Sequence, residues 1–465
     1  MIKNCAHPSS FRDPAGYITE IDGEIYRAIH PKAQETFVGY LESGLHEELV
    51  TAGLLVPHED MGCCLDVAPL GWQVLKVKRI PVISYASEWC HSQLQDAALL
   101  TLEIQNRALR RGWSLKDANT FNVQFDGTRP VFIDTLSFEP SQGSAHWVAY
   151  RQFCEHFLAP LALLKHSPEQ ISALWNSQVN GVPISLASAL LPVSTWFDVG
   201  ILLHLHLHSR IAAKSPAKNS DQSADVSTRD FSLRLNESLM SAVRSLTPAQ
   251  RDSMWSVYRK KNTYTDNDNE LKLRFLDECV DSIDVSSVLD LGANDGLYSE
   301  HLLNKSLRCI AVEADHACCE LIYLKSKANY KNSDLLTLKI DLSNPTPDFG
   351  WGNRERSSFG ERVKSELVLA LALLHHLSIG KHIPYEKVAD FLCELGEYLI
   401  VEYVPPDDPM SLALLKSRHG VTNYLEEMLS LPSFERAFKE KFDVLKSVGG
   451  ISGGRVIYLM KRSAP

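Results

Sequence analysis

The sequence lacks several patterns that would assign it to a common class. It has no run of about 18 apolar residues, the length that a transmembrane helix needs. Its ten cysteines include no Cys-x-x-Cys pair, which argues against a disulfide framework or a tetrahedral zinc site. The first residues, MIKNCAHPSSFRDPAG, contain no apolar core of a signal peptide. We therefore expect a cytoplasmic protein with reduced thiols and no membrane span.

An excess of basic residues is also missing. Lys and Arg total 47 against 57 Asp and Glu, which gives a net charge of −10. Proteins that bind nucleic acid through a broad surface usually carry a basic excess, so a nucleic-acid partner is not indicated. The 465 residues, 45% of them hydrophobic, are enough for two or three globular domains.

One segment is poor in large apolar residues and predicts a domain boundary. Ala212–Asp230 reads AAKSPAKNSDQSADVSTRD, a composition typical of linkers. We place a flexible linker at 212–235, between an N-terminal domain at 1–211 and a C-terminal domain at 236–465.

The C-terminal domain alternates short apolar runs with helical stretches. This alternation is typical of an α/β fold with a mainly parallel sheet covered by helices. The last two strands are close in sequence, which predicts an antiparallel hairpin at the sheet edge. The seven predicted strands are Ser286–Leu291, Arg308–Glu313, Leu335–Asp341, Leu367–Leu374, Tyr398–Val404, Phe442–Ser447 and Arg455–Lys461.

The loop after the first of these strands has the spacing D-x-G-x-x-x-G. Asp290 ends the strand, Gly292 allows a sharp turn, and Gly296 allows a ligand to approach the main chain. The G-x-G-x-x-G spacing of dinucleotide-binding proteins is absent. A loop of this looser kind suits the carboxylate of an amino acid better than a pyrophosphate.

Two acidic residues follow at the ends of the next two strands. Glu313 lies 23 positions after Asp290, where a carboxylate can accept both hydroxyls of a ribose. Asp341 ends the third strand and could accept from an adenine amino group. The three strand ends together predict a pocket for a carboxylate, a ribose and an adenine.

Because of this loop and the two acidic strand ends, the region from about Asn236 to Arg462 resembles a class I S-adenosylmethionine-dependent methyltransferase. The resemblance implies a Rossmann-like seven-stranded sheet with an antiparallel last strand, and S-adenosylmethionine as cofactor. It further implies that the methionine end of the cofactor lies at Asp290, Gly292, Asn294 and Gly296, the ribose at Glu313 and the adenine at Asp341.

The ends of the fourth and fifth strands offer candidate catalytic residues. His375 and His376 follow the fourth strand, and an unperturbed imidazole can take a proton from an acceptor hydroxyl or amine. Glu402 ends the fifth strand and is expected to point toward the substrate mouth. An already nucleophilic acceptor needs mainly positioning, so the alternative is that no base acts.

The sequence of the C-terminal domain contains ALALLHHL and then LIVEYVPPDDP. These segments are similar to bacterial methyltransferase-like proteins associated with nodulation host specificity. The similarity extends to FRDPAGYI near the N-terminus. It implies that the unidentified acceptor is a glycan or another small molecule, although related sequences need not share a substrate.

The N-terminal domain is predicted to be an α+β unit of two lobes, with strands first and helices after. Asp117 and Asn122 are five positions apart, and Asp134 follows a short hairpin. This arrangement resembles the catalytic loop of protein-kinase-like and aminoglycoside-phosphotransferase-like enzymes, in which such residues orient a hydroxyl and hold Mg²⁺ on ATP.

The same segment departs from the kinase pattern. No His precedes Asp117, no Phe-Gly follows Asp134, and no glycine-rich phosphate loop is present. Arg27 is the best-placed basic residue on an early strand, with Glu47 or Glu48 as its expected partner. Three hypotheses therefore stay open: a methyltransferase with an accessory recognition domain, a bifunctional kinase–methyltransferase, and a regulator that binds the cofactor without turnover.

The run His204-Leu-His206-Leu-His208 invites a metal interpretation. On a helix, however, His204 and His208 share one face while His206 points elsewhere, and no HExxH pattern is present. We expect no metal site there.

Overall fold

The computed structural model describes residues 6–141, 147–176, 178–212, 226–248, 266–329, 334–416 and 428–464. The chain divides into two compact units. The first unit comprises Met1–Gln250 together with Pro347–Ser357, and the second comprises Arg251–Thr346 together with Ser358–Pro465. The predicted mixture of helices and strands is confirmed.

The first unit begins with an antiparallel four-stranded sheet of order β1-β2-β4-β3. Two short antiparallel pairs follow, β5 with β8 and β6 with β7. The turn of the β6–β7 hairpin contains Gly127 at a positive φ of 64°. The eight strands are β1 (Gly16–Ile21), β2 (Glu24–Ile29), β3 (His58–Gly62), β4 (Gln73–Val77), β5 (Trp113–Leu115), β6 (Val123–Asp126), β7 (Arg129–Phe132) and β8 (Phe138–Pro140).

The rest of the first unit is helical, and its longest segments are α3 and α9. Short 3₁₀ helices and two π-helical stretches, Cys154–Leu158 and Leu202–Leu207, lie between the helices. The helices are α1 (Pro31–Glu42), α2 (Leu45–Thr51), α3 (His91–Arg110), α4 (Tyr150–Phe153), α5 (Ala159–His166), α6 (Ile184–Leu190), α7 (Val199–Ile201), α8 (His208–Ala212) and α9 (Val226–Ser245).

Helix α9 corrects the predicted domain boundary. The linker was expected at 212–235, but the chain is helical from Val226, and 213–225 lie outside the described residues. The amide of Asn236 donates to the carbonyl of Leu102 on α3 at 3.0 Å, and His91 contacts the carbonyl of Leu246 at 2.6 Å. Because these buried bonds tie α9 to α3, α9 belongs to the first unit rather than to the linker and the second domain.

The second unit alternates strands and helices along the chain. Its strands are β9 (Ser287–Leu291), β10 (Arg308–Glu313), β11 (Leu335–Lys339), β12 (Leu367–Ala370), β13 (Tyr398–Tyr403), β14 (Phe442–Ile451) and β15 (Arg455–Arg462). Its helices are α10 (Asp266–Asp281), α11 (Leu297–Leu303), α12 (His316–Asn329), α13 (Phe359–Arg362), α14 (Leu374–Ser378), α15 (Tyr385–Leu395), α16 (Pro409–Lys416) and α17 (Leu431–Lys439).

The seven strands of the second unit form one sheet of order β11-β10-β9-β12-β13-β15-β14. Strands β9 to β13 pair in parallel, whereas β15 pairs antiparallel with both β13 and β14. The order reverses direction between β9 and β12, which is where open α/β sheets bind ligands beyond the carboxyl ends of their strands. The loops after β9, β10, β11 and β12 therefore lie at the expected place for a site.

Burial explains why the parallel strands form. Every residue of β12 is buried, and so are four of the five residues of β9, as expected of parallel strands that are covered on both faces. One core cluster packs Phe275, Leu276 and Cys279 of α10 against the sheet. The edge strand β14 is mostly exposed and contains two register shifts, a usual means of discouraging edge-to-edge association.

Within the described part of the chain, none of the helices combines the length and the apolar character that crossing a membrane requires.

Candidate functional site

The loop after β9 has the sharp backbone that its glycines predict. Gly292, Asn294 and Gly296 all have positive φ values, of 75°, 50° and 78°. The amides of Gly292 and Ala293 both donate to the carbonyl of Val312 on β10, at 2.8 and 3.1 Å. We call residues 290–296 the glycine loop. Its three left-handed positions and its bonds to β10 fix its shape above the carboxyl end of β9.

Glu313 lies directly beside the glycine loop, as predicted. Its Oε2 accepts from the amide of Asn294 at 2.8 Å, and its Oε1 accepts from the amides of Ala314 and Asp315 at 2.7 and 2.9 Å. Burial raises the pKa of this carboxyl, although the three amides oppose the shift. An ionised carboxylate has about four acceptor positions, so one remains for a ligand hydroxyl.

Asp290 is turned away from the surface of the glycine loop. Its carboxyl is 2% exposed and accepts from the hydroxyl of Ser299 on α11 at 2.6 Å. This bond ties the end of β9 to the helix that follows the loop. Asp290 therefore positions the loop, and the direct contact with a ligand that the sequence predicted for it is not supported.

The buried carboxyl of Asp290 is expected to make the free energy of unfolding depend on pH. Burial raises its pKa to about 6 from 3.8, and the charge of Glu313 adds to the shift. Because the folded state holds this proton more tightly than the unfolded chain, its stabilisation is complete below pH 3.8 and is lost as the pH rises through 6. We expect a loss of about 3 kcal/mol from this group over that window, absent in Asp290→Asn. Urea denaturation of the wild type and of Asp290→Asn at several pH values measures this loss. If the free energy of unfolding depends on pH in the same way in both proteins, the raised pKa of Asp290 is contradicted.

Asp341 follows β11 and is half-exposed. Its Oδ1 accepts from the amide and hydroxyl of Ser343 at 2.9 and 2.6 Å, and Lys381 lies 3.5 Å from Oδ2. Burial raises its pKa, but the bonds from Ser343 and the charge of Lys381 outweigh this and lower it overall. Asp341 is thus an ionised, accessible acceptor. The parallel register places it next to the end of β10, where Ile340 donates to the carbonyl of Glu313 at 2.8 Å.

His375 and His376 lie on α14, just past β12, but they do not have the pKa that the sequence argument assumed. Their ring centroids are 4.0 Å apart. Burial, with the charge of Arg455, lowers the pKa of His376 to about 4, and burial lowers that of His375 well below its usual value. Both are neutral at pH 7 and are weak bases, so a general base with a near-neutral pKa is not supported.

His375 has a second feature that bears on a ligand. It is 2% exposed, and neither ring nitrogen has a hydrogen-bond partner among the described residues. A buried imidazole without partners loses its hydrogen bonds to water and gains none in return. A ligand or an ordered water beside the ring would supply the missing partners.

The expectation that Glu402 points toward the substrate is wrong. Glu402 is fully buried on β13 and its Oε2 lies 2.8 Å from Nζ of Lys272 on α10. The same Oε2 accepts from the amide of Ala372 at 2.8 Å. Ala372 has a positive φ of 50°, so this bond stabilises a strained residue between β12 and the two histidines.

Arg455 extends this contact into a cluster of four buried charges. Its Nη1 lies 3.5 Å from Glu402, and it donates from Nε and Nη2 to the two oxygens of Asp408 at 2.8 and 3.0 Å. We call Lys272, Glu402, Asp408 and Arg455 the charge cluster. Each side chain is at most 2% exposed, so the two positive and two negative charges compensate each other without water.

Sequence reasoning missed Lys272, although a signal was present. Asp268, Lys272, Leu276 and Cys279 follow a helical spacing, and all four are buried on α10. A lysine and an aspartate on the apolar face of a helix indicate buried partners elsewhere in the chain. The amide of Ser452 supplies one of them, donating to Asp268 at 3.0 Å.

In the first unit, the three residues of the kinase-like pattern lie in one region. Asp117 accepts from the side chain of Asn119 at 2.6 Å, and its pKa is raised by burial and then by the charge of Asp134. Asn122 donates to Ser137 at 3.3 Å. Arg27 pairs with Asp134 at 2.7 Å rather than with the predicted Glu47 or Glu48. This pair neutralises the carboxylate that the pattern assigns to Mg²⁺.

Two histidines of the 204–208 run contact hydroxyl groups, and the ring of His208 stacks on that of Tyr150 at 4.9 Å. His204 lies 2.8 Å from the hydroxyl of Tyr150 and 2.9 Å from that of Ser238. His206 lies 2.8 Å from Ser188 and 2.9 Å from Thr195. Among the residues that the structure describes, no group of three or more His, Cys, Asp or Glu side chains could hold a metal ion.

The segment 347–357 was also missed by sequence reasoning. It lies between β11 and β12 in the chain but belongs to the first unit. Glu355 accepts from Arg12 through both oxygens, at 2.6 and 2.7 Å, and the guanidinium of Arg356 lies 4.1 Å from the centre of the Phe121 ring. The segment lacks repeats or motifs, so its place became clear only from these contacts.

Comparison with known proteins gives one relative over nearly the whole chain. The nodulation protein NoeA of Rhizobium meliloti (strain 1021) is 30% identical over 463 residues, which cover 98% of this chain and 95% of that protein. No protein-family model matches the sequence.

Solved structures give weaker likenesses, which cover less than half of this chain. The bifunctional kinase-methyltransferase WbdD is 13% identical over 41% of this chain and 39% of its own, with a TM-score of 0.30. The N-methyltransferase NodS from Bradyrhizobium japonicum WM9, in complex with S-adenosyl-L-homocysteine, is 12% identical over 46% of this chain and 94% of its own, with a TM-score of 0.32.

Proposed function

The chain belongs to the family of the nodulation protein NoeA, and we propose that its second unit transfers a methyl group from S-adenosylmethionine to an oxygen or nitrogen of an acceptor. The predicted relationship to nodulation proteins is confirmed by this membership. The methyl transfer itself is inferred from the second unit alone, because the relative's name states no reaction.

One observation carries the proposal. The glycine loop lies at the point where the strand order reverses, and Glu313 on the neighbouring strand accepts from the amide of Asn294 within that loop at 2.8 Å. A carboxylate at the end of the second strand, next to a glycine-rich turn after the first, suits a nucleoside whose ribose hydroxyls need an acceptor. The antiparallel β15 beside β13 matches the antiparallel last strand that the methyltransferase resemblance implies.

The residues present fit S-adenosylmethionine. Glu313 and Asp341 offer acceptors for its ribose and adenine, and the turn at Gly292 is where we place its methionine end. The unpartnered imidazole of His375 lies beyond β12 and lacks a hydrogen-bond partner that a bound molecule would supply. When bound, S-adenosylmethionine supplies a methyl group on a positively charged sulfur, and the sulfur is the group that the acceptor atom displaces in line.

The chain contributes positioning rather than proton transfer in this proposal. His375 and His376 are neutral at pH 7 and serve as hydrogen-bond partners and as walls of the site. Glu402 acts through Ala372, whose amide it holds, and thereby fixes the turn before the histidines. Orientation of two reactants can supply a large part of a rate enhancement when the acceptor atom is already nucleophilic. The acceptor hydroxyl or amine then loses its proton to solvent as the methyl group is transferred. A glycan or another small molecule is the acceptor class we propose.

The test is a two-stage experiment on the full chain. Calorimetry with S-adenosylhomocysteine is expected to give a single site with a Kd of about 1–100 μM. Tritiated methyl transfer onto a cell extract, fractionated into glycan, small-molecule, protein and RNA pools, is then expected to label the glycan or small-molecule pool. No binding at about 1 mM would overturn the proposal, whereas binding without labelling of any pool would favour the regulator.

A second candidate is the bifunctional kinase–methyltransferase. The closeness of Asp117 to Asp134, with hydrogen bonds from Asn119 and Asn122 to Asp117, favours it. The ion pair of Arg27 with Asp134 weighs against a magnesium ion at that carboxylate. Binding of ATP and magnesium, abolished in Asp134→Ala, is the result this candidate requires.

A further inference from the structure

The first unit contains a cavity of about 620 Å³, within the size range of small-molecule sites. Five separate parts of the chain line it. They contribute, among others, Arg12, Asp117, Gln152, Asn180, Glu355 and Arg356. Ligand pockets are usually mostly apolar, whereas most side chains here are charged or carry an amide.

The charges that line the cavity largely cancel. Arg12 forms a two-fold bond with Glu355, at 2.6 and 2.7 Å, and Arg151 pairs with Glu155 at 2.9 Å. Three arginines thus face three carboxylates, including Asp117. A phosphate or a nucleotide needs a local excess of positive charge, so neither matches this lining.

Arg356 has donor capacity that the protein does not use. Its guanidinium is fixed over the ring of Phe121 at 4.1 Å, and its Nε is buried without a hydrogen-bond partner. Its nearest carboxylate oxygen, on Glu355, is 3.9 Å away, too far for a hydrogen bond. A buried guanidinium N–H that lacks an acceptor is costly. The Arg356 side chain is 19% exposed, and its Nη groups are the donors that a ligand in the cavity can reach.

The remaining polar groups alternate between donors and acceptors. Gln152 uses its Oε1 to accept from the amide of Ala118 at 2.7 Å, and its side chain also hydrogen-bonds to Asp117. Asp117 is an acceptor, and Asn180 offers both kinds of group on the exposed side. A hydroxyl both donates and accepts, so a ligand with many hydroxyls and no net charge is the chemistry that satisfies this lining.

We propose that this cavity binds a neutral, hydroxyl-rich carbohydrate, with Arg356 donating to a ring or hydroxyl oxygen and Asp117 accepting from a hydroxyl. The site lies in the first unit and involves none of the residues assigned to S-adenosylmethionine. The proposal therefore holds whether or not the second unit transfers methyl groups. If it does, the bound carbohydrate is a candidate for the glycan acceptor.

The test is calorimetric titration of the full chain with chitotriose, cellotriose and maltotriose, and separately with inorganic phosphate and ATP–magnesium. At least one trisaccharide is expected to bind. Arg356→Gln is expected to weaken that binding about tenfold to a hundredfold, since a hydrogen bond from a charged donor is lost. The matched control is Arg354→Gln, because Arg354 is exposed in the same segment and lies outside the cavity.

Asn180→Ala provides a variant that cannot easily disturb folding, because Asn180 is exposed. It is expected to weaken the same trisaccharide several-fold, with an unchanged thermal unfolding temperature. The proposal is overturned if no trisaccharide binds at about 10 mM, or if Arg356→Gln and Arg354→Gln bind equally well. It is also overturned if phosphate or ATP–magnesium binds in place of the sugars and Arg356→Gln abolishes that binding.

Discussion

Gly292→Val is expected to weaken S-adenosylhomocysteine binding by at least about a hundredfold. Gly292 has a φ of 75°, which a β-branched residue adopts only with strain. A Cβ there would lie 3.3 Å from Cδ1 of Leu373, so the larger valine side chain must displace Leu373 or the backbone of the turn. Both effects displace the turn that is proposed to receive the methionine end. Calorimetry on the purified variant measures the loss.

The control for this substitution must carry the same backbone strain elsewhere. Gly450 has a φ of 87° and no atom within 4 Å of a Cβ position. Gly450→Val should therefore lower the unfolding temperature slightly and bind with normal affinity. Gly292→Ala, a smaller change, tests whether binding falls in steps with side-chain size. Normal affinity in Gly292→Val would contradict our placement of the methionine end.

The strands of the second unit were predictable because of how they are buried. Each of the seven predicted strands overlaps a strand of the observed sheet. Parallel strands covered on both faces give continuous apolar runs, and these runs stand out between helical segments. The continuous apolar run also led to one wrong strand end. The run at 367–374 was predicted as a single strand, but β12 ends at Ala370 and α14 begins at Leu374.

Helix boundaries were less predictable for a related reason. The stretch Lys32–Ala52 reads as a single helix in the sequence, whereas α1 ends at Glu42 and α2 begins at Leu45. Gly44, at a φ of 71°, separates them. A single glycine within an amphipathic stretch is compatible with both outcomes. The packing of each piece decides between them, and packing is not local in sequence.

Some residues of the candidate site were predictable from local sequence, whereas the surroundings of others depend on residues far away in the chain. Gly292, Asn294, Gly296 and Glu313 were identified because a turn and a strand end are local features. Glu402 was correctly assigned to a strand end, but its environment depends on Lys272 and Arg455, which are 130 and 53 positions away. Charges that compensate each other over such separations leave no spacing pattern.

The charge cluster predicts a large effect on stability. Glu402→Gln removes the negative charge that contacts both Lys272 and Arg455 while keeping the shape of the side chain, so these two positive charges become incompletely compensated. Breaking a buried ion pair in this way costs about 3–5 kcal/mol. Glu397→Gln is the matched control, since Glu397 precedes the same strand and its pair with Lys461, at 3.3 Å, is half-exposed. Such surface pairs contribute little, so the control should unfold at nearly the wild-type urea concentration.

A second substitution separates lost charge compensation from lost packing. If Glu402→Gln is destabilising because Lys272 stays charged in a dry environment, then Lys272→Met in the same chain should restore much of the lost free energy of unfolding. Burial already lowers the pKa of Lys272, which is consistent with a charge that depends on its partner. Urea denaturation of the two single variants and the double variant gives the coupling free energy. Additive losses would mean that Glu402 and Lys272 act independently, and that Glu402 stabilises the second unit mainly through the amide of Ala372.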